Sequence, residues 1–141
     1  MAFNTKGVLT QLETIVSGLA GVQATYIGVP QSLGNAVCAY ITLGGQRPFD
    51  KAGGLRQREM QYRVVFAYRV AGDVATAEET IADLLDALET ALYADRTLGG
   101  TVESLEADFS AASEPRYVAT AGMEFREYPV AVIVKQSRNY P

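Results

Sequence analysis

The chain has no histidine, no tryptophan and a single cysteine. It also lacks any apolar run approaching the ~20 residues that a membrane-spanning helix needs. Without histidine the commonest general base, the usual activating partner of a Ser or Cys nucleophile and the commonest transition-metal ligand are missing, which removes most hydrolase and zinc-site readings. Cys38, inside the apolar run Ala36 to Leu43, can form no internal disulfide and reads as a buried, inert thiol. Positive charge is scarce as well: Lys and Arg total 12 against 16 Asp and Glu, a net charge of -4. A pI near 4.8 argues against gripping a nucleic acid backbone as the main task, because that requires neutralising phosphates. Met1 to Lys6 lack the basic start and apolar core of a signal peptide, so the chain is expected to remain in the compartment where it is made, a cytoplasm.

The 141 residues suit one domain, 1–141, and 48% hydrophobic with 20% charged residues is a globular balance. The strongest local signal is a strand that feeds into a helix. From Arg58 to Val70 the even positions Met60, Tyr62, Val64, Phe66, Tyr68 and Val70 are apolar or aromatic, the period of a half-buried strand. After Ala71, Gly72 and Asp73 the period changes, and Ala77, Ile81, Leu84, Leu85, Leu88 and Leu92 recur as on one face of a helix. Thr76 with Glu79 fits a capping box, and Leu98-Gly99-Gly100 supplies a glycine stop.

Upstream, Asn4 and Thr5 can cap a first helix with the stripe Val8, Leu9, Leu12, Ile15, Val16 and Leu19, ended near Gly18 and Gly21. Val22 to Val29, stopped by Pro30, reads as a short strand, and Ala36 to Leu43 as a second strand buried on both faces. Gly44 to Gln57 holds four glycines and a proline and is expected to be a long mobile arm. Downstream, Thr101 to Ala111 alternates as a fourth strand with an acidic face carrying Glu106 and Asp108. A last strand, about Tyr117 to Gln136, changes phase and predicts a bulge near Glu127 and Pro129. The expected fold class is α+β: a mainly antiparallel β-sheet of about five strands packed with two helices, in the order α-β-β-β-α-β-β. A flexible arm lies at about 44–57 between strands two and three, and the tail frays from about 136 to 141.

The arm's glycines do not have the spacing of a phosphate-binding loop, since both G-x-x-x-x-G-K-[ST] and a GxGxxG between strand and helix are absent. Phe49 in the arm either awaits a partner or folds back on the sheet edge. Charge is unevenly placed. Arg47, Lys51, Arg56, Arg58, Arg63 and Arg69 face only Asp50 and Glu59 in their stretch, whereas Asp73 to Asp95 contains seven acidic residues and no basic one. Either both stretches are ordinary solvated surface, or the basic arm of one copy meets the acidic helix of the next in a head-to-tail contact that closes into a ring. On the second reading the candidate interface residues are Arg47, Phe49, Lys51, Arg56, Arg58, Glu79, Asp83 and Asp86. Glu106 and Asp108 are a carboxylate pair with no apolar pocket suggested around them, so no catalytic, metal-ligating or cofactor-binding residue is assigned.

In element order and apolar spacing the chain resembles the tail terminator, or tail completion, proteins of long-tailed bacteriophages. The likeness is carried by Tyr62-Arg-Val-Val-Phe-Ala-Tyr-Arg-Val leading into the helix Ala77 to Tyr93 and on to Leu98-Gly-Gly-Thr-Val-Glu, and by the close Met123-Glu-Phe-Arg-Glu-Tyr-Pro-Val-Ala-Val-Ile-Val. Head-to-tail joining proteins are similar at this level. The resemblance implies a structural virion protein without enzymatic activity, assembled in the host cytoplasm and resident at the head-proximal end of the tail. It implies a homo-oligomeric ring, a hexamer, that caps the tube, ends its polymerisation and meets the tail tube protein on one side and the head connector or head-completion protein on the other. DNA would pass through without specific binding, no membrane or cofactor would be involved, and Glu106 and Asp108 would be candidates for the lumen. A neck or tail-tube protein is the near alternative. From another class, a small-molecule-binding regulatory α+β domain with a pocket between sheet and helices stays open.

Overall fold

The computed structural model describes residues 5–30, 37–51, 55–70, 74–110, 116–120 and 123–139, with backbone alone at 45–51, 55–57, 120 and 137–139. It is an α+β fold with two helices and a six-stranded mixed sheet. In chain order the elements are α1 (Thr5–Ser17), β1 (Ala24–Ile27), β2 (Cys38–Lys51), β3 (Leu55–Arg69), α2 (Val74–Ala94), β4 (Ser104–Asp108), β5 (Arg116–Thr120) and β6 (Met123–Asn139). The sheet order is β1-β2-β3-β6-β4, with β5 also on β6. The β1–β2 pairing is parallel and the other pairings are antiparallel. Along the outer side of β6 two short strands sit end to end, β5 against Met123 to Glu127 and β4 against Ala131 to Lys135.

Both helices lie on one face of the sheet, as their periodicity requires. Val8, Leu12 and Val16 of α1 and Ile81, Leu84, Leu88 and Leu92 of α2 are buried against Ala39 and Ile41 of β2, Tyr62, Val64, Phe66 and Tyr68 of β3, and Val130, Val132 and Val134 of β6. A smaller cluster, Cys38, Tyr40, Val65 and Ala67, is buried on the opposite, helix-free face. The start of β2, Cys38 to Ile41, and the second half of β3 are therefore buried on both faces, and for β3 this exceeds the half-buried strand that its alternation predicts.

Several expectations are corrected. Within the expected arm at 44–57, Gln46 to Lys51 pair with Met60 to Leu55 and so continue the ladder, while 52–54 and the side chains of 45–51 and 55–57 lie outside the described residues. Gly44 and Gly45 fall at a bulge. Between Leu43 and Gln46 the register gains one residue on β2, and a Cβ on Gly44 would come within 3.0 Å of the Gln61 carbonyl oxygen. The tail is not frayed at 136: Gln136 is buried, and Gln136 to Asn139 pair with Arg58 to Leu55. The last strand is two strands, giving six instead of five, and no bulge occurs at Glu127 or Pro129, which pair in unbroken register with Ala67 and Val65. The phase change has another cause: Phe125 and Glu127 are buried on the helix-free face, whereas Tyr128, Val130, Val132 and Val134 are buried under the helices. Pro129, which has no amide donor, sits between the segments that β5 and β4 pair.

α2 starts at Val74, so Thr76 lies within its first turn and is not the N-cap of a capping box. The helix ends at Ala94, earlier than the glycines suggest. The Asp95 carboxylate accepts the Gly99 amide at 2.9 Å, and Leu98, Gly99 and Gly100 all have positive φ. Leu98 pays a left-handed strain at φ 47° and is held there by complete burial in the core.

Candidate assembly surfaces

β2, β3 and β6 extend together past the bulge as a three-stranded ladder. In it Arg47 stands opposite Glu59, Phe49 opposite Gln57, Asp50 opposite Arg56, Lys51 opposite Leu55, and Arg56 also opposite Arg138. The side chains of Arg47, Phe49, Lys51 and Arg56 lie outside the described residues, but their positions share one end of the sheet. Directly opposed like charges such as Arg56 and Arg138 do not stabilise a ladder by themselves. The side chain of Arg58 is described. It is half-buried, and its guanidinium donates to Thr5 Oγ1 and to Gln136 Oε1, both at 2.9 Å. Gln136 in turn donates to the Thr101 carbonyl at 3.1 Å, so Arg58 ties the start of α1 and the turn before β4 to the base of the extension.

Of the acidic helix residues, Glu79, Asp83, Asp86 and Glu89 are exposed on α2, and among the described residues none of the four has an ion-pair partner. Glu78 is not part of this free face. Its carboxylate pairs with Arg126 of β6 at 2.5 Å and accepts the Tyr128 hydroxyl. Arg126 lies over the rings of Tyr117 and Tyr128, at 5.2 and 5.4 Å from their centroids. Burial, helped by the Glu78 contact, pushes the Tyr128 hydroxyl well above the usual tyrosine range. The Tyr68 hydroxyl is buried without a hydrogen-bond partner, although Glu78 and Arg126 are near enough to act on its pKa, which burial raises.

The helix-free face is divided. At one end Glu127 is buried, receiving the Tyr40 hydroxyl on one carboxylate oxygen and Arg116 of β5 on the other at 2.9 Å. Burial first, then the Glu127 hydrogen bond, pushes Tyr40 above its ordinary range, and burial with the Glu127 charge pushes the Cys38 thiol up to about 11. Cys38 is thus buried and held protonated, as its sequence context predicts. At the other end Glu106 and Asp108 share the face from β4 and both are exposed. The hydroxyl and amide of Ser110 hold the Asp108 carboxyl below the usual range.

Beside them a groove of about 240 Å³ is lined by Glu59, Arg96, Ser104, Glu106, Ile133 and Lys135. Arg96 is anchored there by the Leu105 carbonyl at 3.2 Å and by stacking on Tyr93. This groove is polar and lies on the face away from the helices. Among the described residues no group of Cys, Asp and Glu is placed to hold a metal, and no helix is long and apolar enough to cross a membrane.

Sequence patterns placed Glu106, Asp108, Glu79, Asp83 and Asp86 on exposed surface but did not reveal the Glu127 or Glu78 clusters. The only signal for the first was a charged residue where the strand's apolar phase breaks, at Glu127. No protein-family model matches the chain, and no curated protein is significantly similar to it in sequence.

Proposed function

We propose that the protein is a tail terminator of a long-tailed bacteriophage, a structural subunit that joins copies of itself into a ring capping the tail tube at its head-proximal end. The observation that carries this reading is one of charge. Among the described residues α2 exposes Glu79, Asp83, Asp86 and Glu89 with no ion-pair partner, while the sheet extends a three-stranded ladder with the positions of Arg47, Lys51, Arg56 and Arg138 at its end. A basic extension and a separate acidic face on one chain are two unlike surfaces, which is what a head-to-tail contact needs. An ordered ladder also supports the reading better than a loop would, because less conformational entropy is lost on docking. Arg58, which donates to Thr5 and Gln136 within the chain, supports the base of the extension.

In the ring, the exposed carboxylates of Glu106 and Asp108 belong to the bore, where negative charge lets DNA slide past without binding. The tail tube protein and the head connector occupy opposite faces. A neck or tail-tube protein would use similar surfaces, and capping activity separates the readings.

Native mass measurement and electron microscopy of the purified chain, alone and with tube protein, test the proposal. Rings that bind tube ends and halt elongation are expected, whereas a monomer at every concentration that leaves tubes unaltered would sink it. Reversing the helix charge, with Asp83→Lys and Asp86→Lys together, should weaken ring formation at least tenfold while leaving the circular dichroism unchanged. Rings of undiminished stability in that variant would remove the charge argument.

A further inference from the structure

The sheet ends on two borders that have no strand beyond them among the described residues: β1 on one side, and on the other β5 and β4, which divide the far side of β6. Border strands present backbone donors and acceptors that invite pairing, and chains normally blunt them with charge or a cover. β1 carries no charged residue, and it is exposed: Ile27 is 49% accessible, Val29 just beyond it 70%, and Leu43 on the adjoining strand 49%. On β5, Tyr117 is 59% accessible. Of the seven large hydrophobic residues exposed among the described residues, five (Tyr26, Ile27, Val29, Leu43 and Tyr117) lie at or beside these two borders. Singly scattered they would need no explanation, but four cluster at the β1 border, with Tyr117 on the opposite one, and so mark surfaces that join.

Strand sense and facing also agree. β1 runs with β2, β3 against it, β6 with it and β5 against it, so β1 and β5 are antiparallel to each other. Copies related by rotation about an axis along the strands keep those senses, and β1 of one then meets β5 of the next as an antiparallel pair. Ile27 stands opposite Ile41 and Tyr117 opposite Arg126, two residues from Tyr128, so both border side chains are on the helix-covered face. β4 is the poorer match, because its exposed Glu106 and Asp108 would meet an uncharged strand.

We infer that β1 of one copy pairs with β5 of the next, continuing the sheet across the seam and setting Ile27 and Val29 beside Tyr117. The inference rests on the ring proposed above and names a contact separate from the arm and α2. Cys38 is buried, so the unaltered protein should stay uncrosslinked by a short bismaleimide and serves as the blank. The double variant Ile27→Cys with Tyr117→Cys should give a ladder of crosslinked oligomers, and each single variant none. Dimers from Ile27→Cys alone would show β1 pairing with itself, and stronger crosslinking of Ile27→Cys with Ala107→Cys would put β4 at the seam; either overturns the inference. Val29→Lys, at an exposed position where folding should be unaffected, should reduce the ring fraction about tenfold at a fixed concentration near the assembly midpoint, with unchanged circular dichroism. Rings untouched by Val29→Lys and no crosslink in the double variant would overturn the seam while the ring stands. An unaltered chain that never assembles would overturn both.

Discussion

The two faces of the sheet share the same strands but are held in different ways. On the helix-covered face, Tyr62, Val64, Phe66 and Tyr68 of β3 and Val130, Val132 and Val134 of β6 lie under α1 and α2, with complete or nearly complete burial. On the helix-free face the buried apolar cluster among the described residues is smaller, Cys38, Tyr40, Val65 and Ala67, and a carboxylate, Glu127, is buried near it. Hydrophobic burial has no direction and scales with area, so the first face gains from every residue that keeps its period. A buried carboxylate gains nothing unless specific donors reach it, and here Tyr40 and Arg116 do. The comparison teaches that one face stabilises the fold and the other combines a small polar lock with open surface.

The contrast can be broken most severely on the apolar side. Leu88 of α2 is fully buried, and Leu88→Ala should cost about 3 kcal/mol by lost transfer energy and a residual cavity. Urea unfolding checks it, and a loss below about 1 kcal/mol would mean that α2 is not integral to the core. Next comes the lock: Tyr40→Phe leaves a Glu127 oxygen without its donor and should cost about 2 kcal/mol, within the range for a buried unsatisfied group. A neutral result would show that water replaces the hydroxyl and that this end of the face is wet.

A pH titration sharpens the comparison without mutation. The Cys38 thiol rises from an ordinary 9.0 to about 11, and Tyr40 is raised as well, so the folded state favours their protonated forms. Their contribution to stability is therefore complete below about 9 and declines as pH rises through about 11. Cys38→Ala should flatten part of that decline, and an equal slope in the variant would assign the loss to the tyrosines alone. The smallest effect expected is from Arg116→Ala, below about 1 kcal/mol, because its side chain is half exposed and solvent screens the pair. A larger loss in a double-mutant cycle with Tyr40→Phe would show that the two donors act as one network.

Legibility follows the same division. The stripes of α1 and α2 and the even positions of β3 were readable because burial under a helix repeats with the period of the element. The exposed pair Glu106 and Asp108 was readable for the same reason, by alternation along β4. The ladder at 46–51 and 55–60 was not, since glycine density suggests a loop and only the approach of Gly44 to Gln61 reveals a bulge within continuous pairing. The phase change at Glu127 suggests a bulge near Glu127 and Pro129 because nothing local shows that its partners, Tyr40 and Arg116, are brought to it from other strands.

By itself the sequence determined the α+β class, the two helices, the apolar rows they cover and the segregation of acidic from basic stretches. Those properties are local, set by period, propensity and composition along the chain. Only the tertiary structure decided that β1 runs parallel to β2, that Arg58 is engaged at the base of the extension, that Glu78 is neutralised by Arg126 while its helical neighbours are not, and that β1 and β5 form opposite borders. Each of these depends on which strands lie side by side, and pairing between distant segments has no periodic trace in either segment alone.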